Sequence, residues 1–466
     1  MLFEIVKRHN FKLIESDVGS IYLTDPLIEG GCIYLKELCA ETNLDRLLEK
    51  LCNFNGLFSM VIDSQESVVL ITDRVRSAPI FYSVTDQKVL VSNIFDSIRE
   101  TSNSDDRCEN SITQFMYAGF VTGNSTMDRD IHQVEAGSIV EIDKKPPYSI
   151  SSTRYAAIKY DEDVSHESSY EELDQVLTDC FSDLAEQANG RQIVIPLSGG
   201  YDSRLCAIKL KELGYDNLFT FSYGVRGNKE AALSQLVASE LKLPWTFIEY
   251  NKDFLTREWD SGRRRAYRNI AFNGCSLPHY QDYFAISKLI DLKFIDQTSV
   301  LLPGHSADFN AGSHLPPFVF GEGDVPKAKI KNHMLKKYFS LWPLSEDLIC
   351  AESYLGIESL PEYLARTTVA GILDDFNMRE RQAKFIVNSC RVYDFFDLSW
   401  ALPFWDKRFV DFWCNVPLSQ KQSRWWYKGY VNEKSNEAGL QSLNNAADSF
   451  IRTAGRRSEE HTSELQ

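Results

Sequence analysis

The chain has ten cysteines but no Cys-x-x-Cys pair, so neither a zinc ribbon nor a dithiol redox motif is encoded. Scattered free thiols at this density fit a reducing cytosol. No apolar run approaches the length of a bilayer span, and Met1-Leu2-Phe3-Glu4 does not open a secretory leader. Those absences predict a cytoplasmic protein with no membrane partner. Basic charge is scarce as well. Fifty Lys and Arg stand against 66 Asp and Glu, a formal net charge of −16. That balance argues against broad nucleic-acid binding, which needs cationic surface to displace counterions. No Lys-Ser or Lys-Thr follows the glycines at 199 and 200, which excludes a kinase-type phosphate loop.

What is present is organised in three regions, and 466 residues suffice for two or three domains with their own cores. Residues 1–155 read as short strands and turns, among them Gly56–Ile62, Val68–Thr72 and Lys88–Ser92. A polar, acidic stretch over 156–169 reads as a linker. From residue 170 to 456, strands and helices alternate. Ile193–Leu197 is an apolar, β-branched strand, Ser203–Leu213 a helix closed by Gly214, and Leu218–Tyr223 the next strand. Leu233, Leu236, Val237 and Leu241 then recur at helical spacing before the strand Trp245–Tyr250. This order predicts a parallel sheet with right-handed crossovers and a ligand at the carboxyl ends of its strands. Beyond about Phe320 the chain reads as largely helical and rich in aromatics.

The last ten residues, Arg457–Gln466, are a codon-by-codon translation of AGATCGGAAGAGCACACGTCTGAACTCCAG. That string resembles a sequencing-library adapter, so the segment is set aside as an artefact and the native C-terminus is expected to be cut off.

The stretch richest in chemistry is Leu197-Ser198-Gly199-Gly200-Tyr201-Asp202-Ser203. Two glycines, two hydroxyls and a helix N-terminus gather donors around one point, which suits a row of phosphates. Asp202 can hold the Mg²⁺ that accompanies them. A second strand empties into Gly304-His305-Ser306-Ala307-Asp308, followed by Gly312. Asp202 and Asp308, at the ends of neighbouring strands, can share Mg²⁺ across ATP. His305, Asp308 and His314 also admit a transition-metal site as an alternative.

These motifs resemble a known family. Ser-Gly-Gly-x-Asp-Ser at 198–203 is similar to the pyrophosphate loop of the ATP pyrophosphatases. Gly304–Asp308 with Gly312, Leu402-Pro403-Phe404-Trp405-Asp406 and Phe221-Ser222-Tyr223-Gly224 resemble segments of asparagine synthetases. More closely, the chain resembles asparagine synthase-related proteins of bacterial surface-polysaccharide gene clusters. Asn55–Ser59, Asp73–Tyr82 and Gln133–Ile139 look like the glutamine amidotransferase domain of those enzymes. The resemblance implies an α/β protein, with a PP-loop synthetase domain on a parallel sheet behind a β-rich (α+β) amidotransferase-like domain. It implies ATP and Mg²⁺ as cofactors. Leu197, Ser198, Gly199, Gly200, Asp202, Ser203, Phe221, Ser222, Tyr223, Gly224 and Gly304 would hold ATP and pyrophosphate. Asp202 and Asp308 would be the catalytic and Mg²⁺-bearing pair. His305, His279 and Lys384 are candidate substrate contacts, although at least one of Lys384 and Arg391 is expected to face solvent instead.

The departures are informative. The family's glutaminase cysteine follows the initiator Met, and here that residue is Leu2, so no nucleophile is present. His305 and Phe309 stand where the family has acids. The family's pyrophosphate-stabilising Lys has no clear counterpart after Lys428; truncation is the preferred explanation, with Arg452 or Arg456 as substitutes. The expected activity is an AMP-forming amide ligase acting on a small carboxylate with ammonia or an amine, with a homodimer also compatible. A tRNA-thiolating or other PP-loop enzyme and a non-catalytic nucleotide-binding or assembly protein remain alternatives.

Overall fold

The computed structural model describes residues 2–5, 12–16, 19–24, 44–85, 88–145, 148–160, 167–321, 323–343 and 368–441. The chain forms two compact units. The first comprises Met1–Lys159, Ala266–His279 and Pro326–Arg391, and the second Tyr160–Arg265, Tyr280–Val325 and Val392–Gln466.

The first unit is built on period-two strands. Among the described residues its strands are β1 (Leu2–Ile5), β2 (Lys12–Ser16), β3 (Gly19–Thr24), β4 (Ser59–Asp63), β5 (Ser67–Thr72), β6 (Phe81–Val84), β7 (Lys88–Ser92), β8 (His132–Gln133), β9 (Ser138–Asp143) and β10 (Ile150–Arg154). They form one sheet of order β1-β7-β6-β8 and another of order β10-β9-β5-β4-β3-β2. All pairings are antiparallel except β1 with β7. Alternate residues of β4 point to opposite faces. Met60 and Ile62 join Leu47 and Leu51 of the helix Leu44–Asn53. Val61 joins Tyr82, Val89 and Val91 of the other sheet. Phe81 and Leu90, on the far face of that sheet, pack against Phe95 and Ile98 of the helix Phe95–Ser102. The result is four layers, helix on sheet on sheet on helix, the antiparallel β-rich architecture expected of this region.

Asp73 organises the turn between β5 and β6. Its buried carboxylate accepts from Phe58 N (2.8 Å), Val75 N (2.8 Å) and the Ser77 amide and hydroxyl. Burial nevertheless raises its pKa against those bonds.

Lys384 and Arg391 do not face solvent. Lys384 lies in the π-helical segment Met378–Ile386 and is completely buried. Its Nζ donates to Val121 O (2.9 Å), Gly123 O (2.7 Å) and Glu380 Oε2 (2.6 Å). Arg391 is buried too and donates to Ser77 O. Burial works against the Glu380 carboxylate, but Lys384 and Arg379 hold it below the usual range. Lys384 is therefore a structural cation, and the reason is that its partners come from residues 121–123, far away in sequence. Replacing Lys384 by Met leaves Glu380 buried beside a lost partner, and unfolding in urea is expected to show a loss of about 3–5 kcal/mol. A change below 1 kcal/mol refutes that role.

The second unit carries one parallel sheet, β11 (Ile193–Pro196), β12 (Leu218–Gly224), β13 (Trp245–Glu249), β14 (Val300–Leu301) and β15 (Ser399–Trp400), in the order β13-β12-β11-β14-β15. The expected α/β class with a parallel sheet is thus present. The alternating elements lie within one or two residues of their expected limits, with helices at Tyr201–Glu212 and Lys229–Glu240. The helix Tyr170–Ala188 begins at a capping box between Ser169 and Glu172. β11 is central. The chain builds outward through β12 and β13, then returns to add β14 on the other side of β11. That reversal opens a crevice at the carboxyl ends of β11 and β14. Among the described residues, no helix is long and apolar enough to cross a membrane.

Candidate functional site

The loop after β11 is shaped by its glycines. Gly199 has φ +75°, and a Cβ there would lie 2.8 Å from Leu233 Cβ, so a side chain is excluded on both counts. Gly200 starts the helix Tyr201–Glu212 with no side-chain cap, leaving that end of the helix to backbone donors. Ser203 Oγ accepts from Ser198 N (3.2 Å) and lies 3.1 Å from Ser198 Oγ, which accepts from Gly200 N (3.2 Å). From beneath, the buried Arg204 guanidinium donates to Gly199 O (2.9 Å). The two hydroxyls thus bond to each other and to the loop's own backbone.

The loop after β14 leans directly on this helix. A Cβ on Gly304 would sit 2.6 Å from Ser203 N and 2.8 Å from Ser203 Cα. Two residues on, Ser306 adopts φ +74°, which turns the chain so that Asp308 N donates to Asp202 Oδ2 (3.0 Å). Asp202 Oδ1 accepts from the Tyr427 hydroxyl (2.8 Å), and Asp308 Oδ2 pairs with Arg424 Nη1 (3.2 Å). Burial, and then the charge of Asp308, push the Asp202 carboxyl up to about 7.

The structure thus brings Ser198, Gly199, Gly200, Asp202, Ser203, Gly304 and Asp308 to one point. Leu197 is buried beside them, its N–H donating to Phe221 O (2.8 Å). Phe221 is fully buried and offers no side chain to a ligand. Ser222 is buried, and Tyr223 and Gly224 are half-buried at the end of β12. The Tyr223 hydroxyl is committed to the buried Asp282, whose second oxygen accepts from Tyr393 (3.3 Å). His305 is half-buried next to Gly304. His279 and Lys384 belong to the first unit, where the His279 carbonyl accepts from Tyr267 (2.6 Å).

Phe309 is a core residue, its ring tilted against Trp405 with centroids 5.5 Å apart. The Leu402–Asp406 segment supports the second loop. Phe404 O accepts from Asn310 Nδ2 (3.1 Å), and Asp406 caps the helix Lys407–Cys414. Trp426 packs against Tyr170, Phe412 and Trp413 as helix filling. Arg452 and Arg456 lie outside the described residues.

Two residues went unrecognised in the sequence, Arg424 and Tyr427. Arg424 is the left-handed N-cap of the helix Trp425–Glu437 and Tyr427 lies in its first turn, and only the tertiary fold shows that they meet Asp308 and Asp202.

Among the described residues no group of three His, Cys, Asp or Glu is placed to hold a metal, so the His305–Asp308–His314 arrangement is not formed. The Asp202–Asp308 pair does suit a Mg²⁺ that is completed by phosphate oxygens and water, as such ions usually are. Burial raises the Asp202 carboxyl first and the Asp308 charge second, and a cation between the two would favour the ionised form.

A family model described as a glutamine amidotransferase domain matches residues 46–156. That stretch is therefore similar to such a domain. The chain is also similar to the NH3-dependent NAD synthetase from Campylobacter jejuni, at 16% identity and a TM-score of 0.24, over 42% of this chain and 86% of that one. A glutamine phosphoribosylpyrophosphate amidotransferase from B. subtilis gives 10% identity and a TM-score of 0.22, over 63% of each chain. A predicted subunit of tRNA methyltransferase from Methanocaldococcus jannaschii gives 17% and 0.17, over 36% of this chain and 74% of that one. No curated protein matches by sequence. Overlaps this low carry no argument about activity, which rests on the site itself.

The Asp202 shift has a definite sign. Below its ordinary value of 3.8 the group is protonated in folded and unfolded chains alike. As pH rises toward about 7 the unfolded chain releases the proton while the folded chain keeps it, so stability falls over that window. In metal-free buffer, unfolding measured at pH 4 and pH 8 should show the native chain losing up to about 4 kcal/mol more than Asp202→Asn. Equal losses contradict the placement of Asp202.

Proposed function

We propose that this chain is an AMP-forming amide ligase. It activates a small carboxylate with ATP and transfers the acyl group to ammonia or an amine. The observation that carries this reading is the tie between Asp202 and Asp308 across the crevice between β11 and β14. It joins a glycine loop at a helix start to a second acid, which is the donor-and-carboxylate arrangement a nucleoside triphosphate with its metal requires.

In the first step a carboxylate oxygen of the substrate attacks the α-phosphorus of ATP, the bond to the bridging oxygen breaks, and pyrophosphate leaves. An acyl-adenylate remains. Ammonia or an amine then adds to its carbonyl, loses a proton and expels AMP, leaving an amide. Such phosphoryl chemistry depends on position and charge more than on covalent help. Backbone donors at Gly199, Gly200 and the helix start would hold phosphate oxygens, and the Ser198 and Ser203 hydroxyls fix the loop that presents them. Mg²⁺, held by Asp202 and Asp308, would neutralise charge on the polyphosphate. Leu197 and the end of β12 at Ser222–Gly224 form one wall for the nucleoside. His305 and the other residues beside Gly304 are the candidates for contacting the carboxylate substrate.

The nitrogen donor follows from the chemistry of one residue. Leu2 has no group that can attack a glutamine amide, so the amidotransferase-like region is read as a retained scaffold. Purified protein should make amide with ammonium or an amine and none with glutamine alone; glutamine-dependent product contradicts this.

The ATP reading itself is tested by calorimetry. ATP should bind the native chain only with Mg²⁺ present, and Asp202→Ala should abolish that dependence. Once a substrate is found, turnover in the variant should fall by roughly two orders of magnitude. Undiminished binding in Asp202→Ala refutes the assignment.

A further inference from the structure

We infer that Arg424 is the residue that grips the terminal phosphates of ATP, the part that leaves as pyrophosphate, and that its ion pair with Asp308 stores it for that task. The inference rests on the ATP-splitting reading above and deepens it.

Among the described residues, Arg424 is the one cation ion-paired with either carboxylate of the centre. Its side chain commits a single N–H, Nη1 to Asp308 Oδ2 at 3.2 Å, and makes no other hydrogen bond to a described residue. The side chain is 27% exposed, so a solute can reach the rest of the fork. A guanidinium always carries its charge and matches two phosphate oxygens at once.

Two buried cations of the helix Tyr201–Glu212 are spent elsewhere. Arg204 is buried beneath the loop on Gly199 O and Ser435. Lys209 is buried between Asp174 and Glu212.

The backbone supports the same reading. Ser423 and Arg424 are consecutive non-glycine residues at φ +53° and +57°, a left-handed conformation that persists where the surroundings enforce it. The enforcement is visible on both sides. Arg424 is held by Asp308, and Tyr427, one turn on, is held by Asp202. The kink therefore fixes the guanidinium over the two acids. With polyphosphate in the loop, Arg424 exchanges Asp308 for phosphate oxygens, and Asp308 is released to face the metal.

Calorimetry with inorganic pyrophosphate, ATP and AMP, each with Mg²⁺, tests this on the full chain, on Arg424→Ala and Arg424→Lys, and on Asp202→Ala. Arg424→Gln, which keeps a hydrogen-bonding side chain at the kink, is run alongside to cover a failure of the alanine variant to fold. Loss of the guanidinium should weaken pyrophosphate and ATP roughly ten- to hundredfold and leave AMP unchanged, with Lys recovering part of the loss. A purely structural role would weaken AMP equally, and that result overturns the inference. So does native-like pyrophosphate affinity in the Arg424 variants while Asp202→Ala is impaired, which leaves the ATP reading standing. If the native chain binds neither ATP nor pyrophosphate, the ATP reading falls and this inference falls with it.

Discussion

The backbone N–H of Asp308 donating to the carboxylate of Asp202 is the contact on which the second unit's crevice depends. It is an unusual fastening, because it draws two acids together. A hydrogen bond to a charged acceptor contributes about 1.5–3 kcal/mol, whereas two like charges a few ångströms apart in a half-wet protein site repel by a comparable amount. The opposition is resolved locally. Tyr427 and Arg424 each take one of the facing oxygens, and Asp202 keeps its proton to near neutral pH. Gly304 then lies so close to Ser203 that no side chain fits between them. Remove the N–H bond and the two loops lose the tie that holds this close approach.

The first unit shows the same logic with opposite purpose. Asp73 gathers four donors from Phe58, Val75 and Ser77, and Glu380 with Lys384 clamps the turn at Gly123. In both places the buried polar groups are satisfied by neighbours and present nothing to a ligand. They maintain a frame in which the motifs at Asn55–Ser59, Asp73–Tyr82 and Gln133–Ile139 meet. Gly137 N, for instance, donates to Asp73 O at 2.7 Å. None of these contacts involves Leu2, so the frame they hold does not depend on the residue at that position.

What the sequence revealed divides along the same line. The strands β11, β12 and β13 and their helices were legible because period and glycine punctuation are local signals. Asp202 and Asp308 were legible because each ends an apolar strand in a small-residue loop. Lys384 was not, since whether a lysine is buried depends on carbonyls at residues 121 and 123 that no local pattern connects to it. Arg424 and Tyr427 were hidden for a related reason. A helix beginning Arg-Trp-Trp-Tyr displays aromatics on several faces, and the two tryptophans drew attention away from the polar pair. Phe309 shows the converse, since a position compared with an acid turned out to be filled by the core.

The net charge of −16 poses a problem for any protein that binds a polyphosphate, and the site resolves it by distance. At physiological ionic strength the Debye length is about 8 Å, so exposed acids several times farther away contribute little at the loop. Asp202 and Asp308 are not screened in that way, because they share a hydrogen bond and stand beside the helix start where phosphate oxygens would lie. Two carboxylates at that spot oppose an anion unless cations intervene. Backbone donors offset part of the repulsion, but they carry only fractional charge. One guanidinium faces the pair, and it cannot neutralise two acids and several phosphate charges together. The arrangement is therefore poorly suited to free anions and well suited to an anion that brings its own divalent ion. Charge within a few ångströms of the crevice, rather than the sign of the whole molecule, decides what the crevice can hold.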